Sequence, residues 1–197
     1  MRIVAGRFRR RKIEVNPGLV TRPMTDRVKE TLFAHLECEL SGRRVADIFA
    51  GTGTIGLEAL SRGAAGVVFF ENNRRAFDLL KRNVSRLGVA EETLCWRVDV
   101  ERTSFRPKGV PHLLPFDLVF FDPPYRMIED LHPGSPLFRS LVRLGQPSVT
   151  SPTAMLVLRT PRQASFDVPA CWKPDRVLKL STMAIHLFRK QYEDHCA

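Results

Sequence analysis

Apolar and polar positions change rhythm along the chain. Short continuous apolar runs alternate with stretches in which apolar residues recur every three or four positions. The runs "VADIF", "GVVFFE", "TLCWRV", "FDLVFF" and "TAMLVLRT" suit strands buried on both faces. Between them, "GLEALSRG" closed by Gly63, "NRRAFDLLKRNVSRLG" ended by Gly88, and "SPLFRSLVRLG" read as helices. Nearer the start, Val28, Leu32, Leu36 and Leu40 recur every four residues and form one apolar helical stripe. Thr25 can cap that helix and Asp26 suits its positive end, with "SGRR" as the breaker after it. Two last runs, "DRVLKLS" and "MAIHLFRK", follow one another without a helix, as an antiparallel pair at one edge would. This pattern predicts an α/β fold: a mostly parallel seven-stranded sheet covered on both faces, with an antiparallel edge strand.

A chain of 197 residues fits one domain with a real core. Its 44% hydrophobic and 26% charged content excludes disorder. No apolar run is long enough to span a bilayer, and "MRIVAGRFRRRKIEV" lacks the apolar core of a signal peptide. The four cysteines, Cys38, Cys95, Cys171 and Cys196, are far apart with no CxxC pair, which argues against a zinc site or a disulfide framework. A reducing cytoplasm and no metal are the expectations.

Charge changes the picture more. The net charge is +10, an excess that attracts something anionic. Arg2, Arg7, Arg9, Arg10, Arg11 and Lys12 make half of the first twelve residues basic. A solvated basic face is one reading. A phosphate-binding patch is the other, favoured by the arginine forks. "RIVAG" and "KIEV" around the basic run predict a β-hairpin, so residues 1–24 read as a basic extension of a domain over residues 25–197.

Candidate chemistry lies in two strand-to-helix turns. "DIFAGTGTIG" holds Gly51, Gly53 and Gly56 as GxGxxG, and Glu71 ends the next strand twenty residues after Gly51. Such a cradle lets backbone approach a ligand while an acid binds ribose hydroxyls. The pattern alone fits a nicotinamide dinucleotide about as well as S-adenosylmethionine. Asp47 would repel a pyrophosphate and hold the ammonium of a methionine moiety, and Asp99 can accept from an adenine amine. Asp47, Glu71, Asp99 and Asp122 end four successive strands, along the edge where open α/β sheets bind ligands. The second turn is "DPPY", where Asp122, Pro123, Pro124 and Tyr125 stop an apolar strand.

"DPPY" after a buried strand resembles motif IV of S-adenosylmethionine-dependent amino-methyltransferases, and "DIFAGTG" resembles their motif I. Together with "RIVAGRFRRRKI", "TRPMTDRVKETLF" and "DIFAGTGTIGLEALSRGA", the chain looks like the bacterial 16S ribosomal RNA guanine-N2 methyltransferases. The resemblance implies a Rossmann-like class I methyltransferase fold in the cytoplasm. It implies a monomer whose partner is 16S ribosomal RNA or the assembling small subunit. It implies Asp122, Pro123, Pro124 and Tyr125 as catalytic residues, and a cofactor cradle of Asp47, Phe49, Ala50, Gly51, Thr52, Gly53, Glu71, Asn72, Asp99 and Val100. RNA contacts fall to the six basic residues of the extension with Arg22, Thr25 and Arg27. The stretch "ACWKPDRVL" is not matched. Three rivals remain at this stage: a DNA adenine or cytosine amino-methyltransferase, an NAD-dependent oxidoreductase, and a non-catalytic RNA-binding protein.

Overall fold

The computed structural model describes residues 1–15 and 24–191; Arg22 and Cys196 lie outside the described residues. Seven strands form one sheet: β1 (Arg44–Ile48), β2 (Gly66–Glu71), β3 (Thr93–Arg97), β4 (Phe116–Phe121), β5 (Thr150–Pro161), β6 (Trp172–Lys179) and β7 (Met183–Lys190). Their order is β3-β2-β1-β4-β5-β7-β6. The first five in that order run parallel, and β7 is antiparallel to both of its neighbours. The chain's last strand thus lies one place in from the edge, and β6 forms the edge beside it. The unmatched stretch near the end supplies all of β6 but its last residue, and there Trp172 is buried and donates from Nε1 to the Leu141 carbonyl at 3.0 Å.

Alternation along the central strands divides the core. Val45, Phe69 and Phe120 face one side, with helices α1 (Asp26–His35), α2 (Thr54–Ser61) and α3 (Arg74–Leu87). Ile48, Phe70 and Phe121 face the other, with α5 (Pro136–Leu144). Between β4 and α5 lies a single helical turn, α4 (Tyr125–Ile128), which the apolar pattern does not signal.

The Thr25 hydroxyl caps α1, accepting from the Val28 N–H at 3.4 Å. The predicted four-residue stripe does not stay on one helix. The Leu36 N–H turns back to the Phe33 carbonyl at 3.2 Å, and a 3-10 turn over Glu37–Glu39 follows. Leu36 and Leu40 are buried all the same.

The two arms of the N-terminal segment pair antiparallel at the Arg2–Lys12 bridge, with the Ile3 N–H on the Arg11 carbonyl at 3.0 Å and the Ile13 N–H on the Met1 carbonyl at 2.8 Å, and among the described residues the expected hairpin extends no further as a ladder. The physical reason is competition for its N–H groups. Val4 and Ala5 donate to the Glu58 carboxylate of α2 at 2.8 and 3.0 Å. Arg7 donates to the Ser61 carbonyl and Phe8 to the Ser61 hydroxyl, at 2.8 and 2.9 Å. Ile3 and Ile13 are buried in the helix-covered core, which fixes the arm to the domain.

Candidate active site

Strand order brings the predicted acids together. Along β3-β2-β1-β4 the structure sets Asp99, Glu71, Asp47 and Asp122 in that sequence at or near the C-terminal ends. On either side of β1 the connections leave in opposite directions, which opens the crevice where such sheets hold ligands.

The turn after β1 carries three left-handed residues in five: Phe49 (φ 63°), Gly51 (φ 57°) and Gly53 (φ 81°). The glycines do different work from that expected. A Cβ on Gly51 would meet no atom within 4 Å, so only there does bare backbone border open space. A Cβ on Gly53 would lie 2.5 Å from the Leu80 side chain of α3. One on Gly56 would press on Phe69 and lie 2.9 Å from Asp47 Oδ2. Gly53 and Gly56 therefore need a bare Cα for close packing of helix on sheet, and of the three only Gly51 would point a Cβ into open space. Ala50 and Thr52 are buried, and the Thr52 carbonyl accepts from Asn83 at 3.0 Å.

Glu71 organises the loop. Its Oε2 accepts from the Gly51 N–H at 2.7 Å and its Oε1 from the Asn73 N–H at 2.6 Å. Burial raises its pKa, against those N–H groups. Asn72 is exposed beside it. Asp47 sits deeper, only 1% exposed, with Oδ2 accepting from the Gly56 N–H at 2.9 Å. Burial pushes its pKa up to about 8, and the carboxylates of Asp122 and Glu71 add to the rise. Asp99 Oδ1 accepts from the Glu101 N–H at 3.0 Å, and the adjoining Val100 is buried with its carbonyl bonded to the Ser140 hydroxyl.

The Asp122 N–H donates to the Ile48 carbonyl at 3.2 Å, so β4 keeps its pairing to β1 up to the motif. Pro123 is buried, Pro124 precedes α4, and Tyr125 opens that helix with 37% of its surface exposed. Asp122 does not stand alone. Arg159 of β5 donates from Nε to its Oδ1 at 2.6 Å. The same guanidinium carbon lies 5.6 Å from the Tyr125 ring centroid. Burial raises the Asp122 pKa, and the Arg159 charge and hydrogen bond oppose it. Sequence reading missed Arg159. Its one signal is a charge inside the apolar run "MLVLRT", on a strand whose neighbour was unknown until the order was known.

The basic residues divide. Arg2 pairs with Asp26 at 3.0 Å, and Arg7 pairs with Glu92 while lying over the Phe8 ring. Arg9, Arg10, Arg11, Lys12 and Arg27 are exposed, and among the described residues none of them pairs with a carboxylate. A cleft lined by Arg2, Ile3, Val4, Arg9, Arg10 and Glu30 opens on this side. Thr25, offered as an RNA contact, spends its hydroxyl oxygen on the α1 cap. Among the described residues no helix is long and apolar enough to cross a membrane.

The cradle fits S-adenosylmethionine on its own chemistry. An open backbone position, an acid on the loop and a buried carboxyl between two others suit a ligand that carries ribose hydroxyls and positive charge.

Comparison with known proteins points the same way. The model of the conserved hypothetical protein 95 family matches residues 1–188. Ribosomal RNA small subunit methyltransferase D of Escherichia coli is 42% identical over 129 residues, which take in 64% of this chain and 61% of that protein. The chain thus spans about three fifths of that relative's length. The protein of the same name in Haemophilus influenzae is 32% identical over 191 residues, 96% of this chain and 92% of its own. Among solved structures, the Escherichia coli protein yhhF superposes with a TM-score of 0.80 at 29% identity, covering 98% of this chain and 99% of that one.

Proposed function

The chain belongs to the conserved hypothetical protein 95 family, and we propose that it is an S-adenosylmethionine-dependent methyltransferase acting on the N2 amine of a guanine in 16S ribosomal RNA. The observation that carries the reading is the site itself: an ionisable acceptor beside an exposed aromatic face, next to a glycine cradle on the same sheet edge. The names of the full-length relatives support the ribosomal target.

When bound, S-adenosylmethionine supplies an electrophilic methyl group. Asp47 would balance its ammonium, Glu71 would hold its ribose hydroxyls and Asp99 with the Val100 segment its base, while Phe49 to Gly53 would form the wall. An exocyclic amine is a poor nucleophile because its lone pair is drawn into the ring. The Asp122 carboxylate and the Pro123 carbonyl accept its N–H groups, turn the lone pair toward the methyl carbon and ease loss of the proton. Pro123 and Pro124 stiffen the turn, and the Tyr125 face stacks an everted base. The unpaired arginines of residues 1–24, with Arg27 and with Arg22 outside the described residues, meet RNA phosphates as a salt-sensitive patch. We place the protein in the cytoplasm as a monomer, with the assembling small subunit as partner.

The test is transfer of labelled methyl from S-adenosylmethionine to small-subunit RNA or particles from cells without this protein, followed by nucleoside chromatography. Label in N2-methylguanosine is expected. Label in adenosine or in DNA would redirect the reading to another amine, and no transfer to any of them would sink it.

A further inference from the structure

We propose that Arg159 is a positioning residue for methyl transfer, holding one oxygen of Asp122 and the ring of Tyr125 so that the other carboxylate oxygen stays aimed at the target amine. This rests on the methyltransferase reading above. It concerns a residue outside the motifs that carry that reading.

Placement comes first. β4 pairs β5 with Phe121 opposite Leu158, so the next residue on each strand is Asp122 and Arg159. Their side chains are 14% and 7% exposed. A guanidinium taken that far out of water is costly unless its donors are used. Here the Nε bond at 2.6 Å ends on Oδ1. Among the described residues Oδ2 takes part in no hydrogen bond. The pair thus occupies one carboxylate oxygen and leaves the second for an N–H.

The same guanidinium also fixes the other side of the amine's site. It lies 5.6 Å from the Tyr125 ring centroid, within cation–π range, while Tyr125 keeps 37% of its surface exposed. Acceptor and stacking platform thus share one rigid support on a strand, which is what a positioned site requires.

Charge gives the device a second effect. The groups facing Asp122 are Asp47 from β1, Tyr125 from α4 and Arg159 from β5. Arg159 is the cation among them. Burial favours the protonated acid, which cannot accept on that oxygen, and Arg159 opposes it.

The experiment uses the full chain and compares wild type, Arg159→Gln and Arg159→Lys. Methyl transfer to undermodified small-subunit particles is measured as kcat and KM across pH, with cofactor affinity by calorimetry. Arg159→Gln should bind cofactor within about twofold of wild type. Its kcat at neutral pH should fall about tenfold or more, short of the hundredfold or more for outright loss of a positioned acid–base group. The acidic limb of its kcat profile should move upward by about one pH unit or more, the effect of losing an adjacent cation. Arg159→Lys should keep the limb near its wild-type position with a lower kcat, because charge survives and the Nε bond does not. An Arg159→Gln profile with an unmoved limb, whether its rate is kept or lost equally at every pH, overturns the proposal. Should Arg159→Gln fail to fold, an Arg159→Lys protein with wild-type kcat overturns it. Wild-type protein that transfers no methyl to any RNA would show that the underlying reading, not Arg159, is at fault.

Discussion

Two clusters of buried charge lie in this domain, and they are built on opposite terms. Around Glu58, which is 0% exposed, every charge is answered. Its carboxylate accepts from the N–H groups of Val4 and Ala5 and from Arg62 Nε at 2.9 Å, with the Lys29 ammonium at 3.5 Å. That ammonium also donates to the Arg2 carbonyl at 2.6 Å. Around Asp47 the carboxyl groups outnumber the cations. It has one hydrogen bond from Gly56, carboxylates of Asp122 and Glu71 nearby, and Arg159 paired with Asp122. A compensated cluster holds chain to chain. A cluster with carboxyl groups in excess suits a cationic ligand.

The comparison breaks most sharply at Glu58. Glu58→Ala strips the partner from buried Lys29 and from two backbone N–H groups. Loss of one member of such a group costs about 3–5 kcal/mol. Urea unfolding should show that loss, and hydrogen exchange at Val4 and Ala5 should quicken as the arm comes away.

Asp122→Asn is the matching change in the site. It keeps the shape and an acceptor for Arg159, whereas Asp122→Ala would leave that guanidinium without its carboxylate. Stability should stay near wild type while methyl transfer falls by about a hundredfold or more, the scale of a lost positioned acid–base group. Equal stability losses for Glu58→Ala and Asp122→Asn would erase the distinction between anchor and site.

The two clusters were not equally visible in the sequence. The site acids end apolar runs, and the ends of buried strands in an α/β sheet lie on one edge whatever the loops do. Asp47, Glu71 and Asp122 could therefore be placed together from pattern alone. Arg159 and Glu58 could not. Arg159 matters because β5 neighbours β4, a fact of strand order. Glu58 sits mid-helix among apolar residues, and its partners lie 53 and 54 positions earlier in the chain. The same long-range contacts explain why the pairing of the N-terminal arms stops at one bridge, since the carboxylate of α2 takes the next N–H groups. The glycines were found by spacing, but spacing cannot say which would touch ligand and which would touch Leu80.

That last difference gives a smaller test. Gly51→Ala and Gly53→Ala both place an alanine at positive φ, which costs about 1–2 kcal/mol. Only Gly53→Ala adds overlap with a packed side chain, worth a further 1–3 kcal/mol or so. Thermal unfolding should therefore fall more for Gly53→Ala. Calorimetry with S-adenosylmethionine should show Gly51→Ala weakening the ligand out of proportion to its stability loss. The reverse ranking would return Gly53 to the ligand and move Gly51 out of the cradle.

The smallest effect, per step measured, is the one that reads the excess charge directly. The Asp47 pKa rises from 3.8 to about 8 on folding. The folded protein therefore holds that proton more tightly than the unfolded chain. As pH climbs above about 4 the unfolded chain releases it and the folded protein does not, so stability falls with pH through this window and levels off above about 8. The slope from this one group is at most about 1.4 kcal/mol per pH unit. Asp47→Asn removes the proton and keeps an oxygen for the Gly56 N–H. Urea unfolding at intervals from pH 5 to 9 should show the variant gaining on wild type as pH rises, then running parallel. Saturating S-adenosylmethionine should shrink the gap, because a cation beside Asp47 makes its ionised form welcome. If wild type and Asp47→Asn run parallel across the whole range, Asp47 carries no unanswered charge, and the two clusters differ in place but not in kind.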